Sequence, residues 1–152
     1  MAHNLALEHL GEFRRGPQLD DRALRRNAEA LIERFSIRAR PGDAAASLSG
    51  GNLQKLVLAR VLSREPKAIV VAQPTRGLDI AATEYVHGEL LAQRQRGAAV
   101  LLVSEDLDEL LTLADRLIVL YEGRIVGRLA AADADPERLG LLMAGLSEGV
   151  TA

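Results

Sequence analysis

The sequence has no cysteine and no tryptophan, only 3% aromatic residues, three histidines and no surplus of charge of either sign. Without cysteine there is no disulfide framework and no thiolate metal site, and His3, His9 and His87 do not cluster as ligands would. A metal held by this chain's ligands alone is therefore not expected. Nineteen basic residues against 21 acidic ones, a formal net charge of -2, leave no electrostatic footprint for nucleic acid. The scarcity of aromatics also argues against a base-stacking platform. No apolar run approaches the roughly 18 to 20 residues that a membrane span needs. The start, MAHNLALEHLGEF, carries neither a basic n-region nor a cleavage site. These absences predict a cytosolic protein that meets membranes only through a partner. What is present is 48% apolar residues in 152, enough for one substantial core.

From Asp20 to Phe35, Leu24, Ala28, Leu31, Ile32 and Phe35 recur at helical spacing with arginines and acids opposite, which predicts an amphipathic helix. Gly11 and Gly16-Pro17 break the short apolar start before it, and Arg40-Pro41-Gly42-Asp43 marks a loop after it. A second helix is expected from Gly50 through NLQKLVLARVLS, ended by Glu65-Pro66 because a residue before proline is pushed out of the helical region. The runs Ala68 to Ala72 and Ala98 to Val103 are short, continuous and valine-rich, as in parallel strands buried on both faces. Between them a helix starts near Asp79, turns Val86, Leu90 and Leu91 inward and stops at Gly97, completing a strand, helix, strand unit. Ser104 reads as an N-cap followed by acids at Glu105, Asp106, Asp108 and Glu109, which suit the positive end of a helix. RLIVLY and RIVGRL, joined at Glu122-Gly123, read as a hairpin, and a weak final helix runs from Pro136 to about Leu146 before a frayed end. The expected organisation is a helical subdomain over 1–66, an α/β core over 67–130, and a C-terminal helix and tail over 131–152.

The stretch LSGGNLQK, Leu48 to Lys55, places a hydroxyl at Ser49 and two glycines directly before a helix. Gly50 and Gly51 let the backbone approach a ligand, and the helix directs its unsatisfied N–H groups and positive dipole end the same way, so the natural guest is an anion. Taken alone, these residues read more simply as a serine N-cap on a glycine turn, since caps are far commoner than phosphate sites. Further along, the buried strand AIVVA runs into QPTRGLD, and AAVLLV runs into SEDLDEL.

In this order and spacing the chain resembles the C-terminal part of an ATP-binding-cassette (ABC) ATPase domain, over about residue 4 to about residue 145. LSGGNLQK resembles the signature motif, AIVVAQPT the Walker B strand with the residues directly after it, RGLD the D-loop, and VSEDLDE the switch region. GNLQK, PTRGLD and the glutamate after Ser104 look most like the second cassette of bacterial importers for simple sugars and nucleosides, whose ATPase subunit is usually two fused cassettes. AQPTRGLD leans toward the nucleoside type. The fold this implies is α/β, a partial P-loop NTPase-type domain: helical subdomain, C-terminal part of the parallel sheet and a β-hairpin, with the phosphate-loop portion missing. No G-x-x-x-x-G-K-[ST] occurs in the chain, so it is not expected to cradle a nucleoside triphosphate by itself.

The matched positions also depart from the family's catalytic pattern. Ala72 stands where the Walker B aspartate would hold magnesium, and a methyl group cannot do so. It reads more simply as filler at a strand end. Gln73 stands where a glutamate would act as general base, but an amide orients water without accepting its proton. Glu105 replaces the switch histidine that contacts the γ-phosphate, and a helix-dipole role accounts for it as well. In the D-loop, Arg76, Gly77 and Asp79 imply contact across a cassette dimer, with Asp79 also serving as N-cap of the next helix. Gln54 and Lys55 read as a solvated face, with contact to nucleotide or partner as the alternative.

In this superfamily ATP is sandwiched between two cassettes. The resemblance thus implies that Ser49, Gly50 and Gly51 serve ATP and magnesium held mainly by a partner cassette, with closure driving transmembrane permease subunits. Any hydrolysis belongs to that partner, and the location implied is the inner face of the cell membrane. Two alternatives stand beside it: a non-catalytic interaction module, and a truncated remnant. In either, the faces of 68–72 and 98–103 lack neighbours, which predicts poor stability alone.

Overall fold

A computed structural model describes residues 1–146, and it resolves into two compact units, 1–69 with 74–101 and 70–73 with the residues from 102 on. Residues 147–152, where the sequence predicts a frayed tail, lie outside the described residues.

The first unit is mostly helical. Helix α1 (Ala2–Leu5) leads through a 3-10 segment, Leu7–Phe13, into a minimal hairpin of β1 (Arg14–Arg15) and β2 (Gln18–Leu19), reversed at Gly16-Pro17 with Gly16 at φ 65. Helix α2 (Asp21–Arg34) begins where the sequence places it, because Asp20 accepts a hydrogen bond from the Ala23 N–H at 2.9 Å. Helix α3 (Gly50–Leu62) and helix α4 (Ile80–Gln95) follow. Leu5 and Ala6, from the short apolar start, are fully buried with Leu24, Ala28, Leu31, Phe35, Leu56, Ala59 and Leu62. The start is thus part of the core, tied down by the N-terminal ammonium donating to the Asp43 carbonyl at 2.6 Å.

The cap of α2 gives a pH prediction. The bond from Ala23 holds the Asp20 carboxyl below its ordinary 3.8, against a smaller upward push from desolvation, with Arg22, Arg15 and Arg26 adding to the lowering. A depressed carboxyl contributes stability above its unfolded pKa and loses it as pH falls through the folded value. Asp20→Asn keeps a capping oxygen but removes the titration. Its melting temperature is expected to fall less steeply than that of the wild type below about pH 4. Equal acid slopes in melting curves taken from neutral to acid pH would refute this.

In α4, Val86 and Leu90 are buried as expected, whereas Leu91 is only half-buried and Gln93 is 1% exposed. The Gln93 Nε2 has no hydrogen-bond partner among the described residues. The helical period admits Gln93 to the inward stripe, and a polar residue there is invisible to a reading that looks for apolar ones. A buried donor without a partner costs about 1–3 kcal/mol, so Gln93→Leu is expected to stabilise the chain by about 1 kcal/mol in urea unfolding. A loss of stability would show that the amide has a use.

Strands β3 (Ala68–Ala72) and β4 (Ala99–Val103) pair as a two-stranded sheet. In the first unit the Ala99 N–H donates to the Lys67 carbonyl at 2.9 Å, and in the second the Gln73 N–H donates to the Val103 carbonyl at 2.8 Å. Partners ascend together along both strands, so the pair is parallel. Burial on both faces is not achieved: Ile69 is buried, but Val70 is 76%, Leu101 56% and Val103 50% exposed. The composition of a two-faced buried strand is present, while among the described residues β3 and β4 pair as a sheet of two strands.

In the second unit, helix α5 (Leu107–Leu113) precedes the antiparallel hairpin of β5 (Arg116–Tyr121) and β6 (Arg124–Ala130). Glu122 and Gly123, both at positive φ, make its two-residue turn. Helix α6 (Pro136–Met143) packs Leu139 onto Leu117 and Val119. A Cβ at Gly127 would lie 2.9 Å from Leu142 Cδ1, so a larger residue there would make the Leu142 side chain shift. One expectation is corrected. The cap of α5 is Asp106, which accepts from the Asp108 and Glu109 N–H groups, while Ser104 Oγ accepts from the Asp106 N–H at 3.0 Å. Two capping-type residues were available close together, and the longer carboxylate side chain sits at the position that reaches two N–H groups.

Candidate functional site

The signature-like turn lies in the first unit. Ser49 occupies the N-cap position of α3 with extended backbone, yet its side chain caps no helix N–H. Its Oγ instead accepts from Asn52 Nδ2 at 3.0 Å, and Asn52 Oδ1 accepts from the Arg38 N–H at 2.8 Å. The simple cap reading therefore fails for the hydroxyl. With a lone pair occupied by Asn52, Ser49 retains its O–H as a donor on an exposed surface, beside exposed Gly50 and the first turn of α3. The arrangement offers donors, and it suits an anion. Periodicity and motif spacing do not single out Asn52. Its place three residues after a serine, within one helical turn, is the signal that could have identified it.

Gly51 is half-buried, and a Cβ there would lie 3.3 Å from the Ala82 Cβ of α4. Its small size thus serves the close approach of α3 and α4. No such contact surrounds Gly50, where a Cβ meets nothing within 4 Å.

Gln54 and Lys55 are not a solvated face. Gln54 Nε2 donates to the Pro74 carbonyl at 2.8 Å. Lys55 Nζ donates to the Ser36 carbonyl at 3.2 Å and stands 4.3 Å from the centre of the Tyr85 ring. The Tyr85 hydroxyl donates to the Phe35 carbonyl at 3.0 Å. Burial, with Glu89 nearby, pushes that phenol up to about 12, so it remains a donor at neutral pH. Both side chains spend their polar ends on backbone carbonyls of other segments, a use that one-dimensional periodicity cannot reveal.

The D-loop-like residues share this unit. Arg76, Gly77 and Asp79 lie along the loop before α4, Gly77 has φ 75, and the Leu78 N–H donates to the Thr75 carbonyl at 3.0 Å. Asp79 caps α4 by accepting from the Ala82 N–H at 2.8 Å, as the sequence predicts.

Ala72, Gln73 and Glu105 belong to the second unit. Ala72 stands at the end of β3, and Gln73 is in the left-handed region at φ 49. Such a conformation is uncommon for a residue with a side chain. Glu105 is exposed and does not cap the helix that comes after it. Magnesium does not fit the residues present: position 72 offers a methyl group, and no group of three His, Asp or Glu side chains among the described residues could hold an ion. A phosphate group does fit the donor set at Ser49 to Gly51.

No family model matches the chain. Among known proteins it is 49% identical over 148 residues to the glucose import ATP-binding protein TsgD13 of Haloferax volcanii, covering 94% of this chain and 27% of that protein. It is 43% identical over 128 residues to the nucleoside import ATP-binding protein NupA of Lactococcus lactis, covering 84% of this chain and 25% of that one. The ribose import ATP-binding protein RbsA of Bacillus subtilis is 37% identical over 143 residues, covering 93% of this chain and 29% of the relative. The chain thus spans about a quarter of the length of these relatives. In three dimensions it is similar to an ATP-binding cassette of an ABC transporter, with a TM-score of 0.73 and 19% identity over 97% of this chain and 62% of the other. A dimeric ATP-binding cassette bound to ADP and phosphate is similar with a TM-score of 0.67 and 23% identity, over 86% of this chain and 56% of the other.

Proposed function

We propose that this chain, an ATP-binding domain of the ABC-transporter type related to sugar and nucleoside importer cassettes, supplies a signature turn in trans to ATP bound by a partner cassette. The observation that carries the reading is the state of Ser49: its hydroxyl is withheld from helix capping by Asn52 and left as a donor beside two glycines. ATP with magnesium is then held mainly by the partner, whose residues carry any hydrolysis. Ser49 Oγ and the N–H groups after it stabilise phosphate charge across the interface, while Arg76, Gly77 and Asp79 contact the partner. Ala72, Gln73 and Glu105 occupy catalytic positions without catalytic chemistry. The coupled reaction in this reading is import of a simple sugar or nucleoside through transmembrane permease subunits, which the ATPase meets as a peripheral protein on the inner face of the membrane. No helix among the described residues is long and apolar enough to cross a membrane.

The test mixes the full chain with a cassette that carries a phosphate loop, with and without magnesium ATP, and follows association by sedimentation. ATP-dependent complex formation is expected, and its absence overturns the reading. A second reading, a module that pairs with a partner without ATP, draws on Val70 and Val103, exposed in the second unit. Association of equal strength with and without ATP would favour it.

A further inference from the structure

We infer that Gln54 is a positioning residue that ties the turn Pro74 to Asp79 to the signature turn, so that the two surfaces offered to a partner are set by one side-chain amide. The functional consequence rests on the reading above, but the tie is a property of this chain and is testable without a partner. Gln54 Nε2 reaches the Pro74 carbonyl at 2.8 Å across 20 positions of sequence, and Pro74 is buried. Proline has no N–H, so its carbonyl is the only backbone group by which it can be held. The same segment continues through the Leu78 to Thr75 bond into the Asp79 cap, whose acceptor takes the N–H of Ala82. Ala82 is the residue that the Gly51 position meets. Gly51 and Gln54 are three apart and lie on one face of α3. The first supplies a close packing contact to the start of α4 and the second a hydrogen bond to the start of the loop before it. Between them they hold both ends of the Pro74 to Ala82 segment. The other side of the signature turn is fastened separately, by Asn52 between Ser49 and the Arg38 backbone.

Only the donor of Gln54 is used in this tie, which separates positioning from general packing. Gln54→Glu preserves size and shape and replaces the donor with an acceptor. Gln54→Leu removes the donor, and Gln54→Lys keeps one. Amide hydrogen exchange on the full chain reads the outcome at Leu78, with Ala28 in α2 as a control for folding. Exchange at Leu78 is expected to accelerate about fivefold in Gln54→Leu and Gln54→Glu, the size of one neutral hydrogen bond, with Ala28 unchanged, and to return toward the wild-type rate in Gln54→Lys. Unchanged exchange at Leu78 in both donor-free variants overturns the inference, as does equal acceleration in all three. With magnesium ATP and a phosphate-loop cassette, the donor-free variants are expected to associate about fivefold more weakly than wild type. If the wild type itself does not associate, the signature-in-trans reading fails, while exchange at Leu78 still decides whether Gln54 is the tie.

Discussion

Gly51→Asp is expected to abolish ATP-dependent association with a phosphate-loop cassette, weakening it by more than about a hundredfold, and Ser49→Ala to weaken it about ten- to a hundredfold. Two costs combine at Gly51. A Cβ there would press on the Ala82 Cβ at 3.3 Å, tighter than ordinary contact, so α3 and α4 must separate slightly. In the proposed interface the added carboxylate stands among the donors offered to the phosphate and is expected to repel it. At Ser49 the loss is one hydroxyl donor to a charged group, and the helix keeps its geometry because the hydroxyl caps nothing. Gly50→Ala is the internal comparison. Nothing among the described residues lies within 4 Å of its new Cβ, so weakening there is expected to report crowding by the bound nucleotide. A titration in which Gly51→Asp and Ser49→Ala associate as the wild type does would remove the signature turn from the interface. Urea unfolding of each variant separates a local effect from lost structure.

Phe35→Ala is expected to cost about 3–5 kcal/mol of folding stability, out of a total that for domains of this size is about 5–15 kcal/mol. The ring is 1% exposed at the end of α2, among the core side chains of the first unit. The Arg34 guanidinium lies 5.2 Å from its centre, and the Phe35 carbonyl receives the Tyr85 hydroxyl. Truncation therefore leaves a cavity at the point where the end of α2, the Lys55 side chain and α4 are joined. Urea unfolding monitored by circular dichroism should show a much lower midpoint. A shift equivalent to less than about 1 kcal/mol would show that the site collapses around the deletion.

Sequence periodicity was sufficient for α2 and α4, because each begins at an aspartate whose carboxylate accepts from the N–H three residues on, and each carries a repeating apolar face. The hairpin was legible for a similar reason: Glu122-Gly123 is a local turn whose backbone needs are met within two residues. Local chemistry failed at Ser104, where two nearby residues could each cap and geometry chose Asp106. It failed again at Gln93, where the helical stripe contains a polar residue that apolar pattern cannot flag.

By itself, then, the sequence determined the order of helices and strands from α2 onward, the likeness to ABC cassettes and the residues that stand at Ala72, Gln73 and Glu105, whereas α1 and the β1–β2 hairpin were not read from it. These depend on composition, spacing and identity along the chain. Only the tertiary structure decided that Ser49 is held by Asn52 rather than capping its helix, that Gly51 is small because Ala82 is near, and that Gln54 belongs to Pro74. A side-chain donor can satisfy a neighbour in sequence or a carbonyl many residues away with similar energy, and the packing of the helices selects between them.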